Sequence, residues 1–187
     1  GDHTIRNGKA NHSGIGESGT LPALGELSPP SVWQTHYHHP VPWDQFFAPL
    51  SVPDMFFLIA GARGAAPLLD FMGRKYSYAE VANGVARVAA GLQARGIGKG
   101  DHIGLFLPNT PHYLAAYYGI MAAGATAVNF SPLYTVEELK HQVADSQTKL
   151  LFTLSAQALL PQALRVLDES DLEGLVVGPV AEALPKG

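Results

Sequence analysis

Residues 76–154 read YSYAEVANGVARVAAGLQARGIGKGDHIGLFLPNTPHYLAAYYGIMAAGATAVNFSPLYTVEELKHQVADSQTKLLFTL, a stretch in which helix and strand patterns alternate. Ser77 and Glu80 fit the capping box S-x-x-E, which opens a long helix. Gly96 stands where a glycine commonly follows the last turn of a helix. The apolar run 103–107 after it predicts a short buried strand.

The next helix and strand follow in the same order. Thr110 and Pro111 fit the N-cap and the first position of a helix, which we predict over 111–123. This helix is apolar nearly all round, so we expect it to be buried on more than one side. Residues 126–129 then return to a strand pattern.

A third repeat completes the alternation. Thr135 and Glu138 form a second capping box for a helix over 136–146. Further strands are predicted at 150–154 and 175–177. The repeated β-α-β order predicts an α/β fold of three layers, with a mainly parallel sheet flanked by helices.

Shorter elements precede this stretch. Residues 54–62 predict a short buried helix with Asp54 as its N-cap. Residues 67–72 and 75–77 predict a β-hairpin that turns at Gly73.

The end of the chain and the domain boundaries are less sharply marked. Ser155 is a candidate cap for a helix that Pro161 divides or restarts. We see no closing element in the last ten residues. The predicted organisation is a flexible leader at 1–31, an arm with the short helix and hairpin at 32–75, the β-α-β subdomain at 76–178, and a truncated tail at 179–187.

The composition limits the class of protein. The 187 residues are 47% hydrophobic and 15% charged, and the charged share is below the usual share of about a quarter. A net charge of −4 gives no electrostatic reason to expect nucleic-acid binding. The lack of cysteine excludes disulfides and thiolate zinc sites. No run approaches the roughly 18 apolar residues of a membrane span, and the first residues lack the apolar core of a secretory signal.

Histidines in the aromatic and proline-rich arm leave two interpretations open. His36 and His38 could lie on one side of an extended strand and share a zinc or nickel ion. The alternative is a solvated polar arm, which we favour because Asp44 is the only carboxylate close by.

The glycines of RGIGKGDHIG, at 95–104, suggest a phosphate-binding loop at first sight. Such a loop follows a strand and opens a helix, whereas Gly96, Gly98 and Gly100 follow a helix and precede a strand. We therefore interpret them as a C-cap and a tight turn before Asp101.

Two loops at the carboxyl ends of predicted parallel strands carry polar side chains, and ligands favour that end of an open α/β sheet. The candidates are Asn109, Thr110 and His112 in the first loop, and Ser131, Tyr134 and Thr135 in the second. Turn and capping roles explain the same residues, and we favour those roles because no partner base or nucleophile is evident.

Motifs for nucleophilic or metal-assisted catalysis are missing. The sequence contains no G-x-S-x-G, H-E-x-x-H or G-x-x-x-x-G-K-[ST]. Its remaining acidic candidates, Asp145, Asp168, Glu169 and Asp171, are interpreted as solvated helix ends. No catalytic, cofactor-binding or metal-binding residue can therefore be named.

The order of the short motifs resembles the N-terminal part of the adenylate-forming (AMP-binding) enzymes, which include acyl-CoA synthetases, nonribosomal peptide adenylation domains and luciferases. The matching runs are YSYAEV and then AAGLQARGIGKGDHIGLFLPNTPHYLAAYYGIMAAGATAVNFSPLYTVEELKHQVADS. The arm VWQTHYHHPVPWDQF and the loop SPLYT are most similar to the long-chain fatty acid–CoA ligase branch. The resemblance covers about residues 32–178.

This resemblance implies a partial N-terminal subdomain of the acyl-CoA synthetase-like fold and an ATP-dependent reaction. A carboxylate attacks the α-phosphate of ATP to give an acyl-adenylate and pyrophosphate, with Mg²⁺ neutralising phosphate charge. The thiol of coenzyme A then displaces AMP. The expected substrate is a fatty acid or a related carboxylate, and the expected location is the cytoplasm, with contact at the inner face of the membrane left open.

The family's phosphate loop, Y-T-S-G-T-T-G-x-P-K-G in outline, is missing apart from the final PKG. The later acidic motif, ribose-binding aspartate, hinge and C-terminal lysine are missing too. We therefore expect an inactive fragment that binds none of these cofactors tightly, depends on the missing C-terminal part and can self-associate. The alternative is a free-standing α/β module that binds a ligand or partner without catalysis.

Overall fold

The computed structural model describes residues 40–41, 45–46 and 49–183. The chain divides into two units, Gly1–Ala48 and Pro49–Gly187, and every element described below belongs to the second. The predicted leader and the candidate metal ligands His36 and His38, with Asp44, lie outside the described residues.

The second unit contains six helices and six strands among its described residues. In chain order they are α1 (Val52–Arg63), β1 (Pro67–Phe71), β2 (Arg74–Ser77), α2 (Tyr78–Ala94), β3 (His102–Leu105), α3 (Pro111–Ala122), β4 (Thr126–Asn129), α4 (Val136–Ser146), β5 (Thr148–Leu154), α5 (Leu160–Glu169), β6 (Gly174–Gly178) and α6 (Val180–Ala183).

The hairpin is formed by β1 and β2, which pair antiparallel. Met72 and Gly73 connect the strands, and both have positive φ, at 53° and 84°. Turns of this kind match the right-handed twist of the flanking strands. The Gly73 amide also donates to the Asp70 carboxylate at 3.0 Å. The predicted hairpin and its turn at Gly73 are confirmed.

The main sheet has four strands in the order β4-β3-β5-β6. All three pairs are parallel, which confirms the predicted parallel sheet. Because β3→β4 and β5→β6 run in opposite directions across the sheet, right-handed crossovers place α3 and α5 on opposite faces. On one face α3 packs against α2, and on the other α5 packs against α4. The result is the predicted three-layer α/β arrangement.

Apolar side chains from the sheet and from both helix layers form the main core. Leu105 and Leu151 on the central strands are fully buried, as are Ile120 of α3, Leu139 of α4 and Val166 of α5. A second cluster joins α1, the hairpin and α2. As predicted, α3 is at least partly buried on every side.

Both predicted capping boxes are present. At α2, the Ser77 amide donates to Glu80 at 2.8 Å and the Glu80 amide donates to the Ser77 hydroxyl at 3.2 Å. Thr135 and Glu138 make the matching pair of bonds at 2.7 and 3.3 Å. These bonds satisfy amide groups that a helix start leaves unpaired. Thr110 caps α3 as predicted.

The first helix differs from the prediction in two ways. Its N-cap is Ser51 and not Asp54, because the Ser51 hydroxyl accepts from the Asp54 amide at 3.2 Å. Pro53 lies in the first helical turn, where its missing N–H carries no penalty. Nor is the helix buried: Phe56 and Ala60 are its only buried residues.

Two predictions near the end of the chain are also wrong. Ser155 does not cap α5, which begins at Leu160 without a side-chain cap and has Pro161 in its first turn. Instead the Ser155 hydroxyl accepts from the Val180 amide at 3.1 Å. That bond lies at the start of α6, a short helix where no closing element was expected.

Candidate functional site

The carboxyl edge of the main sheet is the candidate site. The strand order reverses between β3 and β5, so the loops that follow them, 106–110 and 155–159, lead to helices on opposite faces. Ligands of open α/β sheets bind in the crevice at such a point.

The loop after β3 is occupied by turn and cap contacts. Asn109 is exposed, and the Thr110 hydroxyl accepts from the Tyr113 amide at 3.4 Å. The capping interpretation of Thr110 therefore accounts for the contact that its hydroxyl makes.

Two polar residues of the loop after β4 also make turn and cap contacts. The Ser131 hydroxyl accepts from the Leu133 amide at 3.2 Å, and Thr135 caps α4. Leu133 is 92% exposed and Tyr134 38% exposed at the tip of the loop. The loop therefore presents one apolar and one aromatic side chain at the edge, instead of a convergent set of polar groups.

The end of β4 is fixed by two helices. The Tyr113 hydroxyl donates to the side-chain oxygen of Asn129 at 2.7 Å, and the Gln142 amide group donates to the Asn129 carbonyl at 2.8 Å. Because α3 and α4 lie on opposite faces of the sheet, these bonds hold the strand end from both sides.

His112 is the candidate that the fold brings into a new neighbourhood. It is the second residue of α3, and its ring lies against Gly178 at the end of β6. A Cβ at position 178 would stand 2.9 Å from His112 Cδ2, so this contact requires glycine. Sequence order gave no signal for it, because the two residues are far apart in the chain.

An open depression adjoins this edge on the α2 and α3 side. Its volume is about 880 Å³, and Arg74, Arg87 and His112 are among its lining residues. The two arginines could not be predicted as neighbours from the sequence, because β2 and α2 carry them separately and no motif connects them.

Gly96, Gly98 and Gly100 lie at the opposite edge. Gly96 and Gly100 have positive φ, at 75° and 91°, in the turn between α2 and β3. The Gly98 amide donates to the Asp101 carboxylate at 2.9 Å. They form the predicted C-cap and tight turn at the amino ends of the strands, away from the candidate site.

The acidic candidates are exposed, and one is paired. Glu169 contacts Lys140 at 3.1 Å and Arg165 at 3.1 Å. These cations, Lys140 first, lower the pKa of Glu169 below its ordinary value. Asp145, Asp168 and Asp171 are exposed as predicted.

Mg²⁺ has no ligand set in the part of the chain that the structure describes. Among those residues, no group of three or more histidine, aspartate or glutamate side chains could hold a metal ion. The same described residues include no helix long and apolar enough to cross a membrane.

Comparison with protein families identifies the class of protein. The model of the AMP-binding enzyme family matches residues 57–184, which include every element of the sheet. The chain therefore belongs to the AMP-binding enzyme family, and the predicted resemblance to adenylate-forming enzymes is confirmed.

Curated relatives include several ligases. The chain is 33% identical over 117 residues to a long-chain-fatty-acid–CoA ligase of Bacillus subtilis, covering 63% of this chain and 20% of that protein. It is 30% identical over 158 residues to the enzyme of that name from Escherichia coli O6:H1, covering 82% and 27%. It is also 37% identical over 114 residues to 4-coumarate–CoA ligase-like 9 of Oryza sativa, covering 56% and 20%. The chain thus spans about a fifth to a quarter of the length of these relatives.

Solved structures show the same fold. A long-chain-fatty-acid–CoA ligase from Archaeoglobus fulgidus superimposes with a TM-score of 0.61 at 25% identity, covering 74% of this chain and 30% of that one. The anthranilate–CoA ligase AuaEII, in complex with anthranoyl-AMP, gives a TM-score of 0.62 at 23% identity, covering 67% and 24%. The parallel sheet flanked by helices is therefore part of the acyl-CoA synthetase-like fold.

Proposed function

We propose that this chain is the N-terminal part of an ATP-dependent fatty acid–CoA ligase. The match of the AMP-binding family model to residues 57–184 carries the proposal. Two of the relatives above that bear the name long-chain-fatty-acid–CoA ligase, at 33% and 30% identity, support the fatty-acid branch.

The intact enzyme would couple two steps. A fatty-acid carboxylate attacks the α-phosphate of ATP, which releases pyrophosphate and leaves an acyl-adenylate. The thiol of coenzyme A then attacks the acyl carbon, and AMP leaves. The intact family member would use Mg²⁺ with ATP, but the described residues here supply no ligand set for it, so no step is assigned to the metal.

The role we assign to this chain is structural. Its carboxyl-edge loops are held by caps and by the bonds to Asn129, and they offer no nucleophile with a partner base among the described residues. We propose that they form one wall of the substrate cleft and that the C-terminal remainder of the enzyme supplies the catalytic groups. The isolated chain is then inactive, and none of its residues binds ATP or coenzyme A tightly.

ATP–pyrophosphate exchange tests the proposal. The purified 187-residue chain, given a long-chain fatty acid, should show no exchange above a blank without protein. The full-length protein encoded by the same reading frame should exchange with a long-chain fatty acid faster than with 4-coumarate.

Exchange by the isolated chain, or a preference for 4-coumarate in the longer protein, would contradict the proposal. A reading frame that supplies no ATP-binding motif would favour the alternative, a free-standing α/β module that binds a ligand or partner without catalysis.

We further propose that the intact enzyme works in the cytoplasm and meets its substrate at the inner face of the membrane. Fatty acids partition into bilayers, so an enzyme that uses them gains access to substrate at that surface. Cell fractionation should recover the full-length protein partly with membranes, and a high-salt wash should release it. Recovery in the soluble fraction alone would remove the membrane part of this proposal.

A further inference from the structure

The depression beside the carboxyl edge, which we call the arginine depression, has a distinct lining. It lies between β2, α2 and the first turn of α3, and its volume is about 880 Å³. Its polar lining residues are Arg74, Tyr76, Glu80, Asn83, Arg87 and His112. His112 also contacts Gly178 at the end of β6, so the depression opens at the edge where α/β sheets bind ligands.

Small residues keep this space open. Gly84 of α2 and Ala115 of α3 face each other in its wall, and a Cβ on Gly84 would stand 3.2 Å from the Ala115 Cβ. Neither residue has a side chain that could extend into the depression. The space therefore remains available to a ligand, with polar groups around it.

The charges around the depression are unbalanced. Arg74 and Arg87 contribute two positive charges, and Glu80 contributes one negative charge. The Glu80 carboxylate is engaged by the Ser77 amide at 2.8 Å, and this bond, with a smaller contribution from Arg74, lowers the pKa of Glu80. The lining therefore keeps a net positive charge while its one carboxylate serves the capping box.

Arg87 carries the excess charge. It is exposed on α2, and the helix offers no acidic partner, because the residues three and four positions away are Asn83, Gly84, Ala90 and Gly91. Within the described part of the chain, none of the ion pairs includes Arg87. Its guanidinium group is available to an anion that enters the depression.

Arg74 is oriented by an aromatic ring. Its guanidinium carbon lies 4.4 Å from the centroid of Tyr76, and Tyr76 is buried. A cation over an aromatic face is held there electrostatically. One arginine of the depression is thus anchored on β2, and the other projects from the neighbouring helix.

We propose that the arginine depression binds a phosphate group. Guanidinium groups match the geometry of phosphate oxygens and form charge-assisted hydrogen bonds with them. A cleft whose lining has a net positive charge also raises the local concentration of anions. The net positive charge of the lining favours an anion, and a phosphate offers more acceptor oxygens to guanidinium donors than a carboxylate does. This binding site is additional to the ligase reaction, and no step of that reaction is assigned to it.

The test titrates inorganic phosphate into the ¹⁵N-labelled 187-residue chain. Amide chemical shifts, measured by NMR at each phosphate concentration, report the binding. Sodium chloride holds the ionic strength constant, because surface charge effects depend on salt. Saturable shifts are expected at Gly84, Arg87 and Ala115. Arg87→Gln should weaken binding about tenfold, the size expected for one hydrogen bond to a charged group.

Arg95→Gln is the matched control. Arg95 lies at the end of the same helix, and its guanidinium donates to the Gly91 carbonyl at 3.3 Å. This variant should leave the phosphate affinity within twofold of the original chain. Arg87→Lys keeps the charge without the fork of donors. Its phosphate affinity should therefore fall between those of Arg87→Gln and Arg95→Gln.

Three results would overturn the proposal. Shifts that rise linearly without saturating would indicate no site, and equal losses in Arg87→Gln and Arg95→Gln would indicate diffuse electrostatics. Equal saturation by acetate would show that the depression does not select phosphate. If Arg87→Gln disturbs the spectrum of the free chain, Arg87→Lys and Asn83→Ala replace it. Unchanged phosphate affinity in both of these variants would also overturn the proposal.

Discussion

At the residue scale, the most consequential side chain is the one at the centre of the core. Leu151 lies on β5, between β3 and β6, and is completely buried. We predict that Leu151→Ala lowers the free energy of unfolding by about 2–5 kcal/mol, because the truncation removes apolar contacts and leaves a cavity. Urea denaturation followed by circular dichroism measures this change.

Leu164→Ala makes the same chemical change on the surface. Leu164 is 50% exposed on α5, so the expected change is within about 0.5 kcal/mol. Similar losses in the two variants would mean that β5 does not occupy the centre of the folded core.

Asp101 provides a pH-dependent contribution at the amino end of β3. Its carboxylate lies 2.7 Å from the Lys149 ammonium and accepts from the Gly98 amide at 2.9 Å. These two interactions, Lys149 first, lower the pKa of Asp101. A lowered folded-state pKa gives stability that is complete above the unfolded value of about 3.9 and is lost as the pH falls through the folded value.

We therefore predict that Asp101→Asn lowers the melting temperature at pH 7, where the carboxylate of the original chain is charged and paired with Lys149. The difference between the two proteins should shrink as the pH falls below about 4, because the unfolded chain then binds a proton at Asp101 more readily than the folded chain does. Calorimetric scans across this range measure it. A constant difference at every pH would show that the charge of Asp101 plays no part.

Local signals explain which residues were predictable. The caps at Ser77, Thr110 and Thr135 act on amides three positions away, so a short window of sequence contains the whole interaction. The contact of His112 with Gly178 joins distant parts of the chain. No local pattern encodes it, and only the strand order brings the two residues together.

At the element scale, the long alternating stretch was predictable because periodicity and punctuation agree there. The start of α1 was misplaced because Ser51 and Asp54 are both good N-caps. Ser51 prevails because it leaves Pro53 in the first turn and places Asp54 three residues after the cap, where an acidic side chain is favourable. The apolar sequence of α1 also suggested burial, but its contacts cover only the Phe56 side.

The packing of α2 on α3 is the element contact most open to test. A Cβ on Gly119 of α3 would lie 2.5 Å from the Val88 Cβ of α2 and 3.1 Å from the Val85 carbonyl oxygen. We predict that Gly119→Ala destabilises the chain by about 1–3 kcal/mol, because the helices must separate to admit one methyl group. Chemical denaturation gives the value.

Gly91→Ala is the control on the other helix of this pair. Its nearest neighbour would be the Arg95 guanidinium at 3.8 Å, an ordinary contact. Alanine in a helix is favoured over glycine by about 1 kcal/mol, so this variant should be as stable as the original chain or more so. Destabilisation by both substitutions would mean that the clash at Gly119 is not the cause.

At the scale of the whole molecule, the edges of the sheet determine how the chain behaves in solution. β6 stands at the end of the strand order, so one of its edges forms no strand pair within the described residues. The sequence of β6, GLVVG, contains no charged residue, and the side chain of Val177 is 43% exposed. An uncharged open edge is a template for pairing with another chain.

We predict that the isolated 187-residue chain self-associates and that Val177→Lys reduces this association. A lysine on an edge strand opposes pairing by charge repulsion and by its solvation. Sedimentation velocity at several protein concentrations measures the change. Leu164→Lys adds the same charge at an exposed position of α5, and an equal effect there would point to net charge instead of the β6 edge.

The family could be predicted from the sequence and a site could not, because a family is marked by local motifs and a site by contacts between distant residues. A family resemblance accumulates over many short motifs, and residues 76–146 contain most of them. A site depends on side chains that the fold brings together, and the chain spans only about a fifth to a quarter of its curated relatives. Arg74 and Arg87 illustrate the point, because only the packing of β2 beside α2 puts both in one depression.

The position of β3 also affects how the protein folds during synthesis. β3 is the first strand of the main sheet to leave the ribosome, and it lies between β4 and β5. β4 can pair on one side of it as soon as α3 has formed, β5 can then pair on the other side, and β6 joins last on the outside. Each new strand meets a neighbour that is already present, and none has to separate two paired strands. The sheet can therefore grow outward while translation proceeds, which limits the time that its apolar surfaces are exposed to aggregation.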